Sequence, residues 1–448
     1  MRTSCWSTAL LGIFLSFPAI GQEADWRETL PDPLRPVEGM TIQSAAEWVE
    51  VGRPATLELF REHVYGRAPV GRPPELSFEV THTDVSAMDG QATLKQVDIR
   101  FAGPGGEGAM ELVLFIPNDV AWPVPAFVLI CHRARSNIDP TRQVKRAFWP
   151  AEEIVERGYV AAAFHTAEIA PDSPYSFKDG VIDIFDPLGV PRPPDAWATI
   201  AAWAWGAHRA LDYFETDPAI DATRSAVVGH SRGGKAALWS GAEDERFALV
   251  VSNNSGSTGA ALARRRSGET VEDINSKFPH WFCENYKSYN FREDDLPVDQ
   301  HQLIALMAPR LVYVASASQD SWADPPGEFF SCVYAVPVYE LFGLHGLGVN
   351  RLPDPDRPVH ESRFWGGGIG YHLRSGGHDL TLYDWERYMD FADLHWERDA
   401  PGWVDDGTWL GLHYARYAPW VYSASLERWL YVPPSGQSGE GGWIYLAR

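Results

Sequence analysis

Residues 227–239 read VVGHSRGGKAALW and set Gly229, Ser231 and Gly233 at G-x-S-x-G spacing. That spacing suits a strained strand-to-helix turn that exposes a serine hydroxyl, and only small neighbours allow so sharp a bend. Ser231 is therefore the candidate nucleophile. A serine at neutral pH is a weak nucleophile, so it needs a histidine to take its proton and a carboxylate to orient that histidine. With this type of turn the chain order is Ser, then Asp or Glu, then His. His378, in SGGHDL, is the favoured base because the glycine pair frees its loop to reach the serine. His372 is its rival but falls inside the strand-like YHLR, where a histidine is more often structural. For the acid, Asp320 ranks first, because it stands just past the apolar run RLVYVAS, where open α/β sheets gather their functional groups. Asp324 ranks second. Asp379 ranks third, since adjacent side chains rarely meet head-on. Arg232 and Lys235 fall in the first turn of the predicted helix after Ser231. Two cations there oppose the helix dipole, which speaks against mere solvated decoration.

These residues need a scaffold that brings distant segments together. Ser225–Gly229 is short, apolar and β-branched, as a buried strand requires, and the run from Lys235 to Ala242 is rich in helix formers. The same alternation recurs with strands predicted at 125–131, 159–164, 248–252, 310–315 and 369–374, and helices at 196–214, 334–342 and 383–396. Residues 75–115 instead read as an antiparallel ribbon with turns at Met88-Asp89-Gly90 and Gly103 to Gly108, preceded by a helix over 57–63. The pattern predicts an α/β-hydrolase three-layer sandwich with an N-terminal antiparallel extension. Past about residue 398 the pairs Trp420-Tyr422, Trp429-Tyr431 and Trp443-Tyr445, separated by turn residues, predict a small aromatic β-meander or cap.

Composition narrows the function further. The chain opens with one basic residue, an apolar core from Ala9 to Phe17 and the small residues Ala19 and Gly21. That is the outline of a secretory signal peptide over residues 1–21, which assigns residues 22–397 to the catalytic domain and predicts a secreted protein, periplasmic or extracellular. No later stretch reads as a membrane span. With 38 basic against 60 acidic residues the net charge is −22, which excludes nucleic acid as a partner. Nineteen tryptophans suit core packing first and sugar stacking second. No Cys/His pair has zinc-site spacing and there is no HExxH, so no metal is expected, and hydrolysis by a serine needs no cofactor. An oxidising compartment permits one disulfide; Cys283 with Cys332 is the expected pair, because both fall in predicted surface segments while Cys131 ends an apolar strand.

The strings GHSRGGKAALW, ASQDSWADP and RSGGHDLTLYDWERYMDFADLHW together resemble the glucuronoyl esterases, carbohydrate esterase family fifteen, above all its bacterial members. The resemblance runs from about residue 30 to 397, and S-R-x-G-K is its most specific element. It implies that Ser231 is the nucleophile, His378 the base, and Arg232 a holder of the developing oxyanion. It further implies that Lys235, Glu269 and Trp322 contact the hydroxyls of a glucuronate ring. Charged donors and acceptors read such hydroxyls better than an apolar slot does. The implied substrate is an ester of (4-O-methyl-)glucuronic acid, as in glucuronoxylan or lignin-carbohydrate linkages. The sequence departs from the family at two places. Where many members carry a glutamate in an E-S-G context, this chain has Asn254 in SNNSG, which leaves Asp320 to serve alone. ICHRARSN replaces an asparagine- and glycine-containing turn, and puts His132 and Arg133 either at the mouth of the site or in a structural role. The rivals are an acetyl or feruloyl xylan esterase of the same fold and a catalytically silent carbohydrate-binding homologue.

Overall fold

The computed structural model describes residues 26–347 and 362–396, together with five short strands between 403 and 446. The predicted leader lies outside the described residues. A ten-stranded sheet organises the chain in the order β1-β2-β3-β5-β4-β6-β7-β8-β10-β9. The strands are β1 (Leu76–Ala87), β2 (Ala92–Gly103), β3 (Gly106–Pro117), β4 (Val124–Cys131), β5 (Val160–His165), β6 (Ile220–His230), β7 (Leu249–Asn253), β8 (Leu311–Ala317), β9 (Ser362–Gly366) and β10 (Ile369–Arg374). From β5 to β10 across the sheet, neighbours run parallel. β1, β2 and β3 form the antiparallel extension read from the sequence, joined to the parallel part through β3 and β5. The β1–β2 turn holds Met88, Asp89 and Gly90 all at positive φ, the conformation that a tight hairpin requires. β1 is an edge, mostly exposed, and its pairing slips between Val80 and His82 and again between Asp84 and Ala87.

Every residue of β4 is buried, so its alternation directs side chains into two cores instead of one core and solvent. Val128 and Ile130 enter a cluster with Trp203 and Leu238, from the helices Thr199–Phe214 and Arg232–Glu243. Phe127 and Leu129 enter the opposite cluster with Ile154, Trp385 and Tyr388, from the helices Ala151–Glu156 and Leu382–Trp396. This is the three-layer α/β-hydrolase arrangement. Trp48, Trp149, Trp197, Trp203, Trp239 and Trp385 are fully buried, and each such side chain stabilises the fold by about 2–3 kcal/mol.

Three local expectations need correction. The helix expected over 334–342 spans Pro325–Leu341 and starts with prolines in its first turn, where the missing N–H costs no helical hydrogen bond. β9 was not anticipated, and it pairs antiparallel with β10. Cys283 and Cys332 are not bridged: both are free thiols, and Cys131 is free as well. Cys283 and Cys332 are themselves buried instead of lying on the surface. Burial pushes the Cys283 thiol up to about 11, and its Sγ donates to the Glu62 carbonyl.

The C-terminal strands Trp403–Asp405, Leu412–Tyr414, Trp420–Ser423, Arg428–Tyr431 and Tyr445–Leu446 pair in chain order as an antiparallel meander. Its register sets Trp420 opposite Tyr431 and Tyr422 opposite Trp429. Among the described residues no helix is long and apolar enough to cross a membrane.

Candidate active site

Ser231 sits between β6 and the helix Arg232–Glu243 at φ 55°, ψ −128°, a region that costs a non-glycine residue roughly 1–3 kcal/mol. Its neighbours explain how the turn is held. A Cβ on Gly229 would lie 1.9 Å from the Gly233 carbonyl oxygen, and one on Gly234 would lie 2.9 Å from Ser255 Cβ. The Ser231 N–H donates to the Asn253 carbonyl at 2.8 Å, while its own carbonyl accepts the Gly234 N–H at 2.8 Å. The strain is thereby fixed from both sides, at the C-terminal ends of the parallel strands.

Asp320 and His378 meet at that same sheet end, from loops after β8 and β10. His378 Nδ1 lies 2.6 Å from Asp320 Oδ2. A carboxylate only accepts, so Nδ1 carries the hydrogen and Nε2 keeps a lone pair for a serine proton. Asn254 Nδ2 donates to the same Asp320 oxygen at 2.8 Å. Burial alone would raise the Asp320 carboxyl, but the hydrogen bonds from His378 and Asn254 hold it below its ordinary value. The rival acids and base are engaged elsewhere. Asp324 pairs with Arg265 at 2.8 Å, Asp379 with Arg133 at 2.7 Å, and His372 is fully buried between Asp384 and the Tyr313 hydroxyl.

Lys235 and Glu269 form a buried ion pair at 3.0 Å, with side chains 3% and 7% exposed. Lys235 Nζ also donates to the Ser257 carbonyl. The Glu269 N–H donates to the Trp322 carbonyl at 2.9 Å, which ties Glu269 to the loop that holds Asp320. The Trp322 ring is half exposed, with Lys277 Nζ 4.2 Å from its centre. Arg232 donates to Asp172 and lies over the Phe278 and Trp281 rings. The geometry therefore groups a strained serine, an oriented imidazole and two charge-paired cations.

Comparison with known proteins gives this grouping a lineage. Residues 190–343 match the family model described as glucuronyl esterase, fungi. A carbohydrate esterase from an unknown prokaryotic organism is 40% identical over 399 residues, covering 82% of this chain and 89% of the relative. The chain belongs to the glucuronoyl esterase family. A solved glucuronoyl esterase from Solibacter usitatus is 39% identical with a TM-score of 0.76, covering 82% of this chain and 98% of that one. A second structure, titled as a promiscuous CE15 esterase from a marine bacterial metagenome, is 40% identical with a TM-score of 0.73 and covers 81% and 96%. The protein is accordingly a carboxylic ester hydrolase of the α/β-hydrolase fold.

Two further imidazoles lie close to His378 in the esterase. The His230 ring lies tilted by 49° beside that of His378, ring centres 4.5 Å apart, and His132 stacks on His230 at 5.9 Å. Burial pushes His230 well below its ordinary value and takes His132 down to about 3. Arg133, whose role the sequence left open, reaches both His230 Nε2 at 3.3 Å and Asp379 at 2.7 Å, and lies over the Phe148 ring. An arginine only donates, so His230 Nε2 accepts and its Nδ1–H faces Asn253 Oδ1 at 2.7 Å. Sequence reasoning missed Asp172, His280 and Trp281, which meet around Arg232. The dense aromatic run FPHWF, residues 278–282, was the available signal.

Proposed function

We propose that this esterase hydrolyses esters of (4-O-methyl-)D-glucuronic acid, such as those joining glucuronoxylan to lignin alcohols. Ser231 Oγ attacks the ester carbonyl as His378 Nε2 takes its proton, and Asp320 stabilises the resulting imidazolium. Arg232 supports the negative charge that develops on the carbonyl oxygen. Collapse expels the alcohol, protonated by His378, and leaves a glucuronoyl-enzyme. Water, deprotonated by the same imidazole, then releases the acid and restores the serine. Lys235, Glu269 and Trp322 hold the sugar hydroxyls.

The observation that carries the reading is the buried Lys235–Glu269 pair one helical turn from Ser231. A small or purely aromatic acyl group has no use for it, whereas vicinal hydroxyls bind a paired cation and anion in both directions. Residues 22–397 form the catalytic unit of a secreted enzyme, with residues 1–21 as its leader and residues 398–448 as an appended cap. The deciding experiment compares benzyl glucuronate with p-nitrophenyl acetate, for the purified protein and its Ser231→Ala variant. Serine-dependent cleavage of the glucuronate ester supports the reading; cleavage of the acetate alone moves the assignment to an acetyl esterase.

A further inference from the structure

Arg232 is held by groups far from it in sequence. Its Nη1 donates to Asp172 Oδ2 at 2.5 Å. Its guanidinium carbon lies 4.7 Å from the Trp281 ring centre and 5.2 Å from that of Phe278. Those two rings stack on each other at 3.8 Å and 2° between planes. The other oxygen of Asp172, Oδ1, accepts from both His280 Nε2 and Trp281 Nε1 at 2.8 Å. Asp172 thus ties the arginine and the aromatic floor beneath it into one unit. Burial alone would raise this carboxyl, but His280, Trp281 and Arg232 together hold it well below the usual carboxylate range.

The second consequence is electrical. Each cation beside Ser231 has its own carboxylate: Arg232 has Asp172 and Lys235 has Glu269. A neutral ester therefore meets no uncompensated cation at Arg232 or Lys235. The tetrahedral intermediate and the released acid both carry negative charge on oxygens of the same carbon, so an unbalanced arginine would favour both. Catalysis gains only from what is stronger in the transition state.

We propose that Asp172 positions Arg232 and balances its charge, so that the arginine supports the transient oxyanion without retaining the glucuronate carboxylate that hydrolysis releases. Asp172 is a positioning residue, and its product-release role rests on the glucuronoyl esterase reading above.

The test uses the full chain with Asp172→Asn and Asp172→Glu, assayed on benzyl glucuronate and p-nitrophenyl acetate, with glucuronate as the inhibitor. Asp172→Asn is expected to lower kcat about 10- to 100-fold on both esters, less than the roughly 100- to 1000-fold that outright removal of an oxyanion donor costs, because Arg232 itself is retained. It is also expected to tighten glucuronate inhibition severalfold, a change that a merely structural role does not produce. Asp172→Glu keeps the charge but shifts it, so kcat falls while the inhibition constant stays near wild type; this holds the proposal to account even if the amide variant folds poorly. Arg232→Ala combined with Asp172→Asn should be no slower than Arg232→Ala alone. Independent, multiplying losses would overturn positioning through Arg232, and lost kcat with unchanged inhibition would overturn the charge balance. A wild-type enzyme that cleaves only the acetate defeats the glucuronate reading, and the acetate arm still decides whether Asp172 supports Arg232.

Discussion

Replacing Asp320 by Asn removes one charge and almost no volume, which makes it a clean probe of the triad. The amide oxygen can still accept from His378 Nδ1, now 2.6 Å from Asp320 Oδ2, and from Asn254 Nδ2, now at 2.8 Å. What is lost is the attraction between a carboxylate and the imidazolium formed in the transition state. For unit charges about 4 Å apart at an effective dielectric of about 20, that attraction is about 4 kcal/mol. The Asp320 side chain is 4% exposed but that of His378 is 41% exposed, so solvent screens part of it. About 3 kcal/mol is left, or roughly a 100-fold loss in kcat/KM. A glutamate introduced at Asn254 in the same variant returns a carboxylate to this corner and should recover part of the rate. The assay is initial-rate hydrolysis of benzyl glucuronate across pH. An Asp320→Asn enzyme within about twofold of wild type would refute the reasoning, since a screened charge at this distance is worth more than that.

Lys235→Ala should cost at least about tenfold on the glucuronate ester and little on p-nitrophenyl acetate, because the Lys235–Glu269 pair is proposed to serve the sugar and not the reacting carbonyl; equal losses on both esters would contradict that division. Gly229→Ala should destabilise the fold by about 3 kcal/mol or more, read as a lowered urea midpoint, since its Cβ has nowhere to go beside the Gly233 carbonyl. Glu328, fully buried against Ser316 Oγ, is pushed up to about 8 by burial, from an ordinary value of 4.5. Between those values the folded chain keeps a proton that the unfolded chain loses. Stability therefore falls as pH rises, by up to about 1.4 kcal/mol per unit, and flattens above about 8. Glu328→Gln should remove that slope in urea titrations run between about pH 5 and pH 8. Cys131, Cys283 and Cys332 should react with a thiol reagent only after denaturation, whereas a bridged pair would leave one reactive thiol out of the three.

The parallel strands were legible because each is a short apolar run bounded by turn residues, and four of them, β4, β5, β7 and β10, fall within a residue of their predicted bounds. The serine turn was legible for a different reason: its glycines are demanded by backbone contacts, and such demands leave few substitutes. Asp320 and His378 followed from chain order and strand ends. Asp172 was not legible, since nothing in its own surroundings distinguishes it from any loop aspartate; its role exists only where β5, the serine turn and residues 280–281 converge. The error over Cys283 and Cys332 has the same origin. Their segments look like surface in one dimension, but are covered by pieces of chain far away in sequence.

The irregular pairing of β1 bears on how this protein keeps to itself. A long, flat outer strand offers unpaired N–H and carbonyl groups to any second sheet, and this one is twelve residues long and bare over most of its length. Two slips in its register break the spacing that another strand would need to match, at Val80/His82 and Asp84/Ala87. The strand can thus widen the sheet without acting as a template for fibre growth. Straightening those slips, with catalysis untouched, would be the shortest route from a dispersed enzyme to an aggregating one.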